Sequence, residues 1–419
     1  MQPIVLLNAR IIDPDQPSDG LADIRIEGQR ITAVGPGAAA GPGARVIDLK
    51  GCSVMAGMVS AHFHAGYAPD TFKIGPYLDA PPAFQVIRAT QHMRLALESG
   101  FTGVVSAGSP FDMDASLKSA IDGGVIPGPR MIAGSRDISS TGHSQDNAIP
   151  WYWGMESFGI VACDSADAIR RAVRSEIKRG AEIIKIFLTP GHGVDGPAGK
   201  VELTTEEINV AAEAAHQRGA KIRAHIANRA GIHAALDAGF DLIDHGDGLD
   251  EECIERILAA GTFLAPSMLY PHVYVGLYKD KYADVMAADL EQMLKILPVA
   301  NKAGVKLLLG DDFGGAAMPH GSYAEELDFY VNTAGIPARD VIRWATVNGA
   351  ELMGRGHELG AIRAGYLADL VVVQGDPIAD VRVLKDKSRI LGVMKDGVFF
   401  KDELEGLAVE GRPKLAVSG

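Results

Sequence analysis

The chain has 419 residues, 47% of them hydrophobic and 22% charged, an ordinary globular composition long enough for one large domain and a smaller one. Its net charge of −13 argues against a nucleic-acid surface, which needs a basic patch. Cys52, Cys163 and Cys253 fit neither a disulfide framework nor a zinc ribbon. With no leader-like N-terminus and no run of about 18 apolar residues, the expectation is a cytoplasmic protein with no membrane partner.

Short strands separated by Gly, Pro and Asp are predicted at 4–7, 24–26, 31–34 and 46–48. Strand and helix then alternate, with eight strands near 57–64, 101–106, 130–134, 182–188, 221–226, 240–245, 262–266 and 305–311. Several are continuous apolar runs, as parallel strands covered on both faces require. Between them, Ile169, Val173 and Ile177 share a helical face, and Thr204 to Glu207 offers a capping box before a helix over 208–218. Gly100, Gly180, Gly219, Gly239, Gly261 and Gly304 each stand just before a strand, where a left-handed residue ends a helix. The chain returns to β structure at 369–373 and 390–394, with a turn at Lys395-Asp396-Gly397. The fold class expected is α/β: a (β/α)8 TIM barrel over 57–357, with a small β-sandwich domain built from 1–56 and 358–419. An open doubly wound sheet is the alternative, disfavoured by the lack of a Gly-x-Gly-x-x-Gly fingerprint.

Catalytic groups of such barrels collect at the C-terminal strand ends. There stand His62 and His64, two apart on the first strand and so on one face. Lys185 interrupts the apolar fourth strand, His225 and His245 end the fifth and sixth, and Asp311-Asp312 follow the eighth. Imidazoles and a carboxylate in this pattern suit Zn²⁺ or another first-row divalent ion. His192 lies on the loop after the fourth strand, near this site, and is read as a substrate contact. Arg229, following His225, has the shape to hold a substrate carboxylate. Tyr67 follows the His-x-His pair and is placed at the leaving group. Trp151-Tyr152-Trp153 reads as a pocket wall or an oligomer contact.

On these residues the chain resembles the amidohydrolase superfamily, over nearly its whole length. It is most similar to the branch with Xaa-Pro and Xaa-Arg/Lys dipeptidases, imidazolonepropionase-like proteins and ochratoxin-hydrolysing amidohydrolases. The resemblance implies two divalent ions, with zinc expected. His62 and His64 hold the buried one, His225 and His245 the other. Lys185 becomes N6-carboxylysine and bridges both, and Asp312 binds the buried ion and moves protons. Here Gly310-Asp311-Asp312-Phe313-Gly314 replaces the family's Gly-Thr-Asp pattern; alignment on both glycines selects Asp312, with Asp311 the departure. Ser140 to Asn147 is an altered form of the branch's Thr-Gly-Gly-His-Gly-Asp run, which implies that His143 polarises the substrate carbonyl. Asn348 matches a family helix segment and is read as packing and capping.

The implied reaction is hydrolysis of the amide of an N-acyl amino acid or dipeptide by a hydroxide bridging the metals. The alternatives are a binuclear lactone or organophosphate hydrolase, and a deaminase or cyclic amidase acting on a heterocycle. Lys185 weighs against the last pair, since deaminase relatives use one metal and lack the modified lysine. Partners reduce to a small-molecule substrate and, from the frequency of symmetric assemblies, a homo-oligomer.

Overall fold

The computed structural model describes residues 2–16, 20–39, 43–71, 78–153, 159–192 and 200–404. Strands from both ends of the chain share one sheet. Leu370–Val373 pairs with Ser53–Ala56, which runs parallel to the second half of Ile4–Ile12. The first half of that strand pairs instead with Ala22–Glu27 and Arg45–Asp48. The change falls at Asn8, whose φ is 53° and across which the register shifts. Asn tolerates left-handed backbone, and a bulge bends the strand. The sheet wraps a core that includes Leu6, Ile24, Ile47, Val54, Leu370 and Val372. The two sets of strands meet in Ile4–Ile12, which belongs to both. Ser53–Ala56 and Val398–Asp402 are strands beyond those predicted, and residues 405–419 of the expected β unit lie outside the described residues. The turn at Asp396 and Gly397 is present, with φ of 51° and 74° joining Lys395 to its partner Val398.

The middle of the chain is a TIM-barrel-like α/β arrangement of parallel strands. Met58–Phe63, Phe101–Ser106 and Arg130–Ile132 pair in sequence. After Ala133 the chain continues as Gly134–Ser139, beside Ile183–Phe187, Lys221–Ile226, Leu242–His245 and Phe263–Ala265. The third strand therefore reaches Ser139, five residues beyond its predicted end, and Ile160–Ala162 adds an edge strand. The predicted strand at 305–311 is reduced to a bridge from Leu307 to Leu264. Side chains take over its backbone groups: Asn348 donates to Leu307 O at 2.8 Å, and Gly310 N donates to Glu326 at 3.0 Å. A bond from Ala61 N to Leu309 O, 2.7 Å, links this last segment to the first strand.

Helices between strands follow their sequence signals. Ala166–Arg179 buries Ile169 and Val173 and is capped by Ser165. Thr205–His216 starts with the expected capping box of Thr204 and Glu207. All six marker glycines have positive φ, from 72° to 108°. Among the described residues, no helix is long and apolar enough to cross a membrane.

Candidate metal centre

His62 and His64 leave the first strand pointing the same way, their rings buried. His64 Nδ1 lies 3.1 Å from Gly108 O, so it donates there and Nε2 carries a bare lone pair. The Ser267 hydroxyl donates to Gly310 O at 2.9 Å and accepts from His62 Nδ1 at 3.0 Å, which bares the Nε2 of His62 as well. These two nitrogens and Asp312 Oδ1 form a triangle with all three edges 3.2 Å. Ligands about 2.0–2.1 Å from a tetrahedral ion stand about 3.3 Å apart, so the triangle fits a Zn²⁺-type ion. Three lone-pair atoms turned on one another without a shared proton call for a cation. Two glycines allow the close packing: a Cβ on Gly310 would lie 2.2 Å from His62 N, and one on Gly108 2.2 Å from Asp137 Oδ1.

A second group lies beside the first. His192, His225 and His245 present ring nitrogens within 4.8 Å of one another, and the ring of His245 is 5.2 Å from that of His62. His245 adopts φ of 65°, rare for a residue with a Cβ and of a kind that clusters at functional sites. This breaks the alternation of the sixth strand, so that consecutive Asp244 and His245 both reach His62.

Lys185, 2% exposed, lies close enough to both groups that, beyond burial, its charge lowers the pKa of His62 and of His225. Its surroundings are not the purely apolar ones that its flanking residues imply: Nζ donates to Asp244 Oδ2 at 2.5 Å. Arg223, fully buried, grips both oxygens of Asp244 and donates to Ala61 O and Ser106 O, each at 2.8 Å. Neither Arg223 nor Asp244 was singled out from sequence, yet Arg223 stands two before His225 on the same strand face. Burial pushes the Asp137 carboxyl up to about 7, against the opposing charge of Lys185. Arg223→Met should destabilise the protein by about 3–5 kcal/mol, because buried Asp244 loses both Arg223 bonds and Ala61 O and Ser106 O lose their donor. Urea unfolding checks this; a change under about 1 kcal/mol would contradict the role given to Arg223.

Asp311 is turned away from the triangle, accepting from Leu269 N at 2.8 Å and Tyr270 N at 3.2 Å. Burial and the neighbouring Asp312 charge raise its pKa. For Asp312 burial acts the same way, but His62 and His64 override it and hold the carboxyl well below the usual range. His143 follows the extended third strand, its ring buried, with neither nitrogen hydrogen-bonded among the described residues. Burial lowers its pKa, which favours the neutral ring. Tyr67 stacks on His64 with centroids 4.0 Å apart. Arg229 is half exposed and engaged by Asp250 and Glu252, so a substrate carboxylate has to displace these partners. Tyr152 and Trp153 are exposed.

Burial lowers the pKa of His62 from 6.5 to about 4 and takes His225 and His245 well below 6.5; at His192 burial is outweighed by Asp247. The unfolded chain therefore takes up protons at the first three histidines before the folded metal-free protein does. Stability is fully present above pH 6.5 and is lost as pH falls toward 4, by about 3 kcal/mol from His62 alone. Urea midpoints of metal-free protein at pH 7.5 and pH 5 test this; equal midpoints would count against it.

The amidohydrolase family model matches residues 53–399. The chain is 29% identical over 372 residues to ochratoxinase from Aspergillus niger, covering 83% of this chain and 75% of that one. It is 24% identical over 411 residues to 5'-deoxyadenosine deaminase from Methanosarcina acetivorans, covering 89% and 84%. Among solved structures, a Xaa-Pro dipeptidase with methionine bound in its active site superposes with a TM-score of 0.85 at 28% identity, covering 95% of this chain and all of that one. The likeness spans the terminal sheet and the parallel strands alike, and the chain belongs to the amidohydrolase family.

Proposed function

We propose that this protein hydrolyses the amide bond of an N-acyl amino acid or a dipeptide at a centre of two divalent ions, with zinc expected and Lys185 carboxylated as the bridge. The observation that carries the reading is the adjacency of two ligand groups, His62, His64 and Asp312 beside His225 and His245. The amine of Lys185 depresses proton binding at both His62 and His225, so it stands close to both groups. The domain division at 57 and 358 and a complete (β/α)8 barrel are part of the same reading, supported by the shared terminal sheet and the Ala61–Leu309 link.

When bound, two such ions lower the pKa of water and polarise a carbonyl. The chain supplies the rest. Water's oxygen bonds to the carbonyl carbon as the C–N bond breaks; Asp312 takes the proton from the water and returns it to the departing nitrogen. His143, neutral and unpartnered among the described residues, is suited to donate to the carbonyl oxygen as it gains charge. Tyr67 lies flat on His64, at the edge of the site. Asp244, held by Arg223, keeps a compensated charge once Lys185 leaves it to form the carbamate.

The likeness to an ochratoxinase and a Xaa-Pro dipeptidase supports the amide class. A panel of N-acyl amino acids, dipeptides, lactones, phosphotriesters and adenine nucleosides tests it. Turnover of the first two classes at least about tenfold above the rest is expected; ammonia release from nucleosides as the main activity would replace this reading with deamination.

A further inference from the structure

His192 was placed by sequence at the substrate, and the established ligand pattern of the family does not use it. Its surroundings are those of a ligand. Nε2 lies 2.7 Å from Asp247 Oδ2, so this nitrogen carries the proton and donates it. The carboxylate–imidazole pair leaves Nδ1 as a lone pair. That Nδ1 is buried and has no hydrogen-bond partner among the described residues, and the same holds for His245 Nδ1. His225 donates from Nε2 to Pro190 O at 3.0 Å, which leaves its Nδ1 bare too. The ring of His192 stands 4.6 Å from that of His245 and 5.4 Å from that of His225, steeply tilted to both. Its side chain is 9% exposed, and Asp247 behind it is 1% exposed.

A buried imidazole aimed at two others, with its far nitrogen fixed by a carboxylate, is the arrangement that orients metal-ligating histidines. A substrate-binding histidine has no need of two further bare imidazoles facing it. We propose that His192 is a third protein imidazole on the second ion, making a His192–His225–His245 site backed by Asp247. The proposal deepens the two-ion reading and rests on it. It has a consequence that the family pattern lacks: three imidazoles hold the second ion without the carbamate, so its retention does not depend on carbon dioxide or on Lys185.

The test is metal content and affinity, measured on wild type, His192→Ala, His192→Gln and Asp247→Asn by elemental analysis after dialysis against a graded zinc chelator. Cobalt-substituted protein adds a visible spectrum that reports ligand change directly. Both His192 variants are expected to lose one ion, its dissociation constant rising by about 100-fold or more, with the cobalt bands altered; Asp247→Asn should weaken the same ion by about 10–100-fold. Lys185→Ala is expected to keep one ion, in bicarbonate-free buffer as well. If the His192 variants fold, as circular dichroism reports, and hold ions with wild-type number and affinity, the inference is overturned and His192 returns to the substrate. The two readings fail separately. Wild type with a single ion refutes the two-ion centre, while the change from wild type to His192→Ala still decides whether His192 is a ligand.

Discussion

Replacing Lys185 with alanine is expected to reduce hydrolysis by about 10³-fold or more, equivalent to about 4 kcal/mol of transition-state stabilisation. The proposed carbamate, which would tie the two ions into one centre, cannot form. In the metal-free protein the Nζ bond to Asp244 is lost as well, but Arg223 keeps both oxygens of Asp244. The fold should therefore persist, and Lys185→Met, which retains most of the buried volume, should be equally inactive. Short carboxylic acids added to Lys185→Ala should restore part of the activity by standing in for the carbamate. Rescue is not expected if Lys185 serves only as the counter-ion of Asp244. Full activity in Lys185→Ala would remove the bridging role altogether.

Asp312→Asn is expected to lower kcat by about 10²–10⁴-fold, the range that general acid–base groups supply. The amide keeps the size of the carboxylate and an oxygen to offer as a ligand, but accepts no proton from water. The neighbouring Asp311→Asn provides the contrast. Asp311 accepts from the backbone nitrogens of Leu269 and Tyr270, the first residues of the helix Leu269–Leu277. Its replacement should act on stability, by about 1–3 kcal/mol, with a much smaller direct effect on turnover. Steady-state kinetics with urea unfolding of both variants would show the split; equal loss of kcat in the two would undo the assignment of Asp312.

Much of this centre is legible in the chain because strand ends and residue chemistry coincide there. The pair at His62 and His64 follows from period two on a strand, and the markers from Gly100 to Gly304 give the repeat of the αβ units. The same period-two rule misleads at the sixth strand. It sends Asp244 and His245 to opposite faces, and the left-handed backbone at His245 is what brings both inward. Arg223 was readable, being two residues before His225, but a buried arginine inside a strand is expected only once its carboxylate partner is known. Ser267 gives no local signal; its role arises from a bond to His62, 205 residues away. Loop residues are least legible. His192 and Arg229 were both assigned to the substrate, and one faces two histidines while the other is engaged by acidic side chains.

Counting ions in active wild-type protein tests the two-ion centre most directly. Elemental analysis of protein purified without chelator, and again after reconstitution with zinc and bicarbonate, should give about two divalent ions per chain, with activity rising in step with the second. Full activity with one ion per chain, or with none, would contradict the account.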